Sequence, residues 1–338
     1  MQRARETGMR LFVAGGAVAL LVVLPHWLSD FRASQFARAG VFFIAIVGLN
    51  LLTGYTGQIS LGHGALMAIG GYTTAILVDD FAIRDVWTIP IAGAVAACAG
   101  FLIGVPALRL RGLYLALVTF GLAVAMPSLL KKFELTGGSD GINLFETKLT
   151  HLTGAVTGTV TVFGHTFTQN DFFYYLAWGI GLVLLGAAWL LVSGRPGRAF
   201  RALRDSELAA TSSGVNLSVY KTLAFAISGF YAGVAGSLYM MLANWFVLPQ
   251  TYPFSLSLLL VVGAVVGGLG SLGGLALGAL FVEFLPTWAQ HVSKAPGAPT
   301  FIFGVAIVLV IVTLPTGAGG LLRRLFGPLT TRLYTRSQ

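Results

Sequence analysis

Charged residues are scarce in this chain. They make up only 10% of the 338 residues, whereas 56% of the residues are hydrophobic and the mean hydropathy is +0.83. A water-soluble domain of this length needs a charged surface, so the composition excludes one. The sequence predicts an all-α fold: a polytopic integral membrane helical bundle, organised as a single transmembrane domain over residues 1–338.

Residues suited to catalysis or metal binding are also few. The single cysteine, Cys98, excludes an intrachain disulfide, and no Cys/His spacing typical of a zinc site occurs. The sequence contains no P-loop and no nucleophile with a paired base. We therefore expect no enzymatic activity, no catalytic residue, no metal and no cofactor in this chain.

Apolar segments are abundant. We count about ten, some of them short or discontinuous, against the ~20 residues that a helix needs to cross a bilayer. They cover residues 10–28, 39–52, 65–78, 88–108, 112–130, 172–193, 222–242, 254–270, 272–288 and 301–315. The first follows three arginines but lacks a cleavage pattern, so we interpret it as a span rather than a signal peptide.

The distribution of basic residues orients these segments. With ten crossings both termini lie on one side, and if that side is the cytoplasm it carries 14 of the 21 Lys and Arg residues. The positive-inside rule therefore predicts cytoplasmic termini, an extracytoplasmic loop over residues 131–171 and a cytoplasmic loop over residues 195–221. The net charge of +9 fits attraction to anionic membrane lipid, and we expect no nucleic-acid binding.

The 195–221 loop carries an amphipathic pattern. A helix over residues 198–213 would place the basic side chains of Arg198, Arg201 and Arg204 on one side and Ala199, Phe200 and Leu203 on another. Gly214 then provides a left-handed helix end, and Asn216 and Ser218 provide turn or N-cap residues. Two interpretations stay open: a basic loop that only fixes topology, or a docking surface for a soluble partner.

Two glycine-rich stretches interrupt the hydrophobic pattern. In residues 50–72 the polar side chains of Gln58, Ser60 and His63 lie between two apolar segments too short to cross alone. These residues either line a translocation pathway as part of a discontinuous helix pair, or belong to a cytoplasmic turn from Thr53 to Gly64.

The second stretch, residues 266–278, contains Gly267, Gly268 and Gly270. These glycines line the pathway, form a tight turn or allow close helix packing. The carboxylate of Glu283 follows and faces the bundle interior, water or the outer interface.

The 131–171 loop shows alternation around Gly164 that predicts a small β-hairpin. Its acidic residues either contact a soluble delivery protein or form an ordinary solvated surface. They are Glu134, Asp140, Glu146 and Asp171.

Five blocks resemble one known family. They are LNLLTGYTGQISLGHGALMAIGGYTTAIL at 49–77, PALRLRGLYLALVTFG at 106–121, LTGGSDGI at 135–142, GRAFRALRDSELAATSSGVNLSVYKTLAFAISGFYAGVAGSLY at 197–239 and VVGGLGSLGG at 265–274. In this order they are similar to the M-type permease subunit of bacterial branched-chain amino acid ATP-binding-cassette (ABC) importers. Within the fourth block, the order Glu207, Ala209, Ala210, Gly214 resembles the E-A-A-x-x-x-G loop of ABC import permeases.

The resemblance implies a multi-pass subunit of the bacterial inner membrane. Its implied partners are an H-type permease, two cytoplasmic ATP-binding subunits that use the ATP, and an extracytoplasmic substrate-binding protein. The ATPase-coupling role would fall on the motif residues together with the basic face. These residues are Arg201, Arg204, Glu207, Ala209, Ala210 and Gly214.

One stretch departs from the family pattern. Residues 253–264, PFSLSLLLVVGA, carry no charge where relatives often have an acidic residue. Alternatives therefore remain: a related ABC permease for urea, short amides or aromatic acids, or an ATP-independent channel for a small neutral solute.

Overall fold

The computed structural model describes residues 21–320 apart from 22, 28, 82, 111, 145–158, 163–164, 244–245, 293–296 and 314–316. Among these residues the α-helices are α1 Asp30–Leu49, α2 His63–Asp79, α3 Asp85–Ala107, α4 Leu113–Lys132, α5 Gln169–Ser193, α6 Arg195–Asp205, α7 Glu207–Ser212, α8 Leu217–Leu242, α9 Phe254–Gly267, α10 Leu275–Val292 and α11 Ala298–Thr313. A π-helical turn, Asn50–Tyr55, continues α1, and short 3₁₀ turns cover Leu24–Trp27, Glu134–Thr136 and Pro249–Thr251.

Six of the described helices are long and apolar enough to cross a bilayer. They are Asp30–Tyr55, Asp85–Ala107, Leu113–Lys132, Gln169–Ser193, Leu217–Leu242 and Pro249–Gly267. Helices satisfy their own backbone hydrogen bonds, as lipid requires, so this result confirms a polytopic helical membrane protein. The number of ten crossings and the side of the termini stay predictions, and most of the predicted first segment, 10–28, lies outside the described residues.

The predicted short segment at 39–52 is wrong in its bounds. The helix begins at Asp30 and runs to Tyr55, which gives 26 residues, long enough to cross by itself. Arg32 and Arg38 lower the local hydropathy, but arginine is a good helix former and does not end the helix. The partner segment α2 is short, with 17 residues.

Helices α1 and α8 form the centre of the bundle. Helix α8 packs against α1, α2 and α3, and α1 also packs against α5 and α10. Glycine allows the α3–α8 approach: a Cβ at Gly229 would collide with the carbonyl of Ala96, and one at Gly233 would collide with that of Ala92. Close backbone contact of this kind is how membrane helices gain packing without a hydrophobic driving force between them.

Four short strands occur among the described residues. β2 (Thr159–Val162) pairs antiparallel with β3 (His165–Thr168), so the predicted hairpin around Gly164 is confirmed. β1 (Ile142–Asn143) pairs with β4 (Phe246–Val247), which ties the segment after α4 to the segment after α8. Residues 142–143 of loop 131–171 are thus held to the segment after α8 by backbone hydrogen bonds.

Candidate functional site

The loop at 195–221 folds as two helices rather than the single helix expected over 198–213. Helix α6 starts early, at Arg195, with Pro196 in its first turn, where a missing N–H is tolerated. The chain turns extended at Ser206 (φ −163°, ψ 119°), whose Oγ accepts a hydrogen bond from the Ala209 amide and so caps α7. We call α6 and α7 together the docking hairpin, after one of the two roles that the sequence left open for this loop.

The two predicted faces of α6 are confirmed. Phe200 is fully buried and Leu203 is nearly so, and the Phe200 ring meets the Tyr220 ring edge-on with centroids 6.3 Å apart. The basic face carries Arg198, Arg201 and Arg204, which are exposed. An aromatic anchor therefore holds α6 to the bundle while its cationic face remains outside.

The predicted stop and restart signals also hold. Gly214 has φ +81°, and the Val215 amide donates back to the Ala210 carbonyl, which closes the end of α7. Asn216 accepts from the Val219 amide at 3.2 Å and starts α8. Both Ala209 and Gly214 are exposed, whereas Ala210 is buried.

Glu207 points back into the protein. Its Oε1 lies 2.6 Å from Nζ of Lys221, and the side chain of Lys221 is only 5% exposed. Glu207 also lies in the first turn of α7, where the helix dipole favours a negative charge. The pair joins the docking hairpin to the first turns of α8.

Arg204 makes the second link from the hairpin. Its Nη1 donates to the Gly54 carbonyl at 2.6 Å, near the end of the π-helical turn, where carbonyls lack intrahelical donors. The same guanidinium sits over Gly270, since an added Cβ there would lie 2.5 Å from Nη1. Gly270 has φ +75°, a conformation that favours glycine.

Asn50 joins the two glycine-rich stretches directly. Its Oδ1 accepts from the Gly270 amide at 2.9 Å and its Nδ2 donates to the Ser271 carbonyl at 3.0 Å. Asn50 has no exposed surface. The π-helical turn after α1 and the turn between α9 and α10 therefore form one unit beneath the docking hairpin, a meeting that the sequence analysis missed.

The predicted pathway residues Gln58, Ser60 and His63 are buried at 7%, 2% and 0% exposure. Gln58 donates to the Thr56 hydroxyl at 3.1 Å, and Nδ1 of His63 lies 3.4 Å from the Ser228 hydroxyl. They pack inside the chain, in the connection between the π-helical turn and α2.

Side chains from other helices hold the start of α2. The Thr119 hydroxyl accepts from the Leu61 amide, and the Ser257 hydroxyl accepts from the Gly64 amide, both at 2.9 Å. The bond to Gly64 satisfies an amide that a helix start leaves unpaired, and the bond to Leu61 fixes the residue just before the helix. For a substrate to pass these residues, α2 would have to separate from α4 and α9.

The glycines predicted for the pathway lie at the turn between α9 and α10. Gly267 is buried and packs against Leu275, and Gly268 ends α9 with φ +106°. Gly270 is the position under Arg204. The structure thus brings together Gly54, Arg204 and Gly270, but it leaves His63 apart from them, beside Ser228 of α8.

Comparisons with known proteins agree on one family. The model of the branched-chain amino acid transport system permease component matches residues 33–313. The high-affinity branched-chain amino acid transport system permease protein LivM of Escherichia coli K12 is 36% identical over 281 residues, which span 78% of this chain and 66% of the relative. Permease protein LivH of Salmonella typhimurium LT2 is 23% identical over 82% of this chain and 91% of its own length.

A third likeness covers a shorter region. The autoinducer 2 import system permease protein LsrC of Yersinia pseudotuberculosis is 29% identical over 40% of this chain and 40% of its own length. No solved structure matches the chain.

Proposed function

The chain belongs to the branched-chain amino acid transport permease family, and we propose that it is the M-type permease subunit of an ATP-driven importer of branched-chain amino acids. Its partners would be a homologous H-type permease, two cytoplasmic ATP-binding subunits and an extracytoplasmic substrate-binding protein. The similarity to both LivM and LivH supports a pair of related permeases. The chain would act in the bacterial inner membrane, while ATP is bound and hydrolysed by the partner subunits.

The observation that carries this proposal is the docking hairpin and its links. Its outer surface presents Arg201, Ala209 and Gly214, all exposed, while Phe200 anchors it from within. A rigid, anchored helix pair is what a soluble ATPase needs in order to push on a membrane domain. The hairpin connects to α8 through Glu207 and to α1 through Arg204.

These links define how force would travel. Closure of the ATP-binding subunits displaces the hairpin, and the Glu207–Lys221 pair carries the start of α8 with it. The Arg204 contact transmits the same motion to the π-helical turn and, through Asn50, to the turn between α9 and α10. Interfaces of this type rearrange between discrete states, which suits alternating access.

The buried polar residues at the start of α2 could line the substrate pathway only in a conformation that differs from the observed one. Gln58, Ser60 and His63 are enclosed here, between the π-helical turn and α2. We assign them to the substrate pathway in the conformation in which the π-helical turn after α1 has moved away from α2. In the observed conformation these side chains stabilise the segment between the π-helical turn and α2. The two roles left open by the sequence, pathway lining and turn, therefore apply to different conformations.

Charge substitutions at Glu207 and Lys221 test the coupling role. Glu207→Lys places two cations together and leaves Lys221 without its partner, so ATPase co-purification and ATP-dependent uptake should both fall while membrane insertion stays normal. The exchanged pair Glu207→Lys with Lys221→Glu should recover part of both. Arg109→Glu is the control, because Arg109 is exposed in a different predicted cytoplasmic loop.

Unchanged uptake and co-purification in Glu207→Lys would contradict the coupling role. Solute uptake into proteoliposomes that contain the permeases with or without the ATP-binding subunits distinguishes the importer from the channel alternative. Accumulation that proceeds equally without these subunits would favour a channel. The substrate is checked by measuring which amino acids bind to the cognate delivery protein.

A further inference from the structure

An ion pair joins α1, one of the six helices able to cross a bilayer, to α10, which packs against it. Nη2 of Arg38, on α1, lies 3.0 Å from Oε1 of Glu283, on α10. Of the three positions that the sequence allowed for Glu283, the structure selects the bundle, since its side chain is 8% exposed. The Arg38 side chain remains 41% exposed.

The pair lies at membrane depth. Arg38 follows the start of α1 at Asp30 by eight residues, and Glu283 follows the start of α10 at Leu275 by eight. At 1.5 Å per residue, each charge is about 12 Å along its helix from that end. With the docking hairpin on the cytoplasmic side, α1 begins at the outer face, whereas α10 begins at the cytoplasmic face, next to the turn that contacts Arg204. The pair therefore lies near the middle of the membrane.

Structural stabilisation is a weak reason to keep such a pair. Removing two charges from water offsets much of their mutual attraction, and two apolar side chains would hold α1 to α10 as well. The half-exposed guanidinium is costly against lipid tails, because ionisable groups at this depth normally face water or the bundle interior. An aqueous or polar space next to Arg38 would remove this cost.

The guanidinium of Arg38 also has an N–H donor that the observed ion pair does not use. Arginine carries five N–H donors in a fork that matches a carboxylate. The Nε–H of Arg38 is enclosed and has no acceptor among the described residues. A buried donor without an acceptor is unfavourable, so an acceptor that arrives with a ligand would relieve the cost.

The neighbouring contacts add an aromatic surface. The rings of Phe36 and Phe284 lie beside the ion pair with centroids 4.8 Å apart, again between α1 and α10. Gln35 and Thr287 make a weak 3.4 Å hydrogen bond between the same helices. Charges of both signs thus stand next to an apolar surface, a combination that complements an amino acid with a hydrophobic side chain.

We propose that Arg38 and Glu283 form a binding site for a zwitterionic, hydrophobic α-amino acid near the middle of the membrane. Arg38 takes the carboxylate and Glu283 takes the ammonium group, while the empty site closes on itself as the observed ion pair. This proposal rests on the proposed function, since it takes the cargo to be an amino acid.

Charge exchange separates a binding role from a structural one. In the reconstituted importer with its partners, Arg38→Gln and Glu283→Gln should each lower radiolabelled leucine uptake at least tenfold. The exchanged pair Arg38→Glu with Glu283→Arg should recover the thermal stability of the complex but not the uptake, because the two charges then meet the ligand in reversed positions. Recovery of both would show a structural ion pair and overturn the proposal.

Matched controls keep the outcomes distinct. Arg32→Gln changes an exposed arginine on the same helix and should leave uptake unchanged. Wild-type uptake in Arg38→Gln would overturn the binding site alone. The proposed function itself fails only if the wild-type complex shows no ATP-dependent uptake of branched-chain amino acids.

Accessibility gives a readout independent of rate. Ser34 lies one helical turn before Arg38, so a Ser34→Cys variant with Cys98→Ala reports on the same face of α1. A membrane-impermeant thiol reagent applied from outside should label the introduced thiol in the complex, more slowly when the leucine-loaded binding protein is present. Absence of labelling would show that lipid or the partner permease covers this face, and would contradict the proposal.

Discussion

Replacing Asn50 with alanine is expected to loosen the contact between the two glycine-rich turns. The side chain is completely buried, and it donates to the Ser271 carbonyl and accepts from the Gly270 amide. Both backbone groups would lose their partner in the variant. A buried polar group left unpaired costs about 1–3 kcal/mol, so the two together predict a loss of about 2–6 kcal/mol, towards the lower end if water enters the space.

Two assays check this expectation. Thermal unfolding of the purified importer, followed by size-exclusion chromatography, should show a lower midpoint for Asn50→Ala than for the exposed-site control Ser218→Ala. ATP hydrolysis should continue while leucine uptake per ATP falls, because the force from the hairpin no longer reaches the turn between α9 and α10. A variant with unchanged stability and unchanged uptake per ATP would refute the reasoning.

A double-mutant cycle sharpens the result. A methyl group at Gly54 would collide with Oδ1 of Asn50 and with the Gly270 amide. Gly54→Ala should therefore destabilise the wild type, but less so once the Asn50 side chain is gone. Contacting residues show such coupling, whereas strictly additive effects would place the two residues in separate units.

Three further variants test other parts of the structure. Phe200→Ala removes the buried anchor of α6 at a cost of about 3–5 kcal/mol, so limited proteolysis should cut the docking hairpin while the spans stay inserted. Gly229→Leu pushes a side chain into a carbonyl of α3 and should abolish the monodisperse peak in fluorescence-detected chromatography, whereas Gly186→Leu, which faces open space, should not. In a cysteine-free background, Thr211→Cys should react with an impermeant reagent only in inverted vesicles, and reaction from outside would exclude a cytoplasmic docking hairpin.

Local patterns predicted the parts of the fold that depend on local physics. Hydropathy located the six described helices that are long and apolar enough to cross a membrane, although it placed the start of the first one too late. Alternation around Gly164 located the hairpin, and the period of 3.6 residues separated the faces of α6. Glycine and asparagine marked the end of α7 and the start of α8 because these residues act on their own backbone.

The remaining features depend on contacts between distant parts of the chain. Arg204 and Gly54 are 150 residues apart, and Asn50 and Gly270 are 220 apart. Single-sequence periodicity carries no information on such pairs. The break at Ser206 had a local signal, a serine directly before an acidic first turn, but the amphipathic period continues through it and concealed the boundary.

The two links of the docking hairpin differ in how much it costs to break them, and this difference decides which helix moves together with the hairpin. Lys221 is nearly buried, so parting it from Glu207 would leave an unpaired charge in a poorly solvated place. Arg204 is exposed and its partner is a neutral carbonyl, so water can replace that bond at much lower cost. We therefore expect α8 to move with the hairpin as one body through the whole cycle. The Arg204–Gly54 contact passes motion to the π-helical turn only while it is formed, and it breaks and forms again once in each cycle.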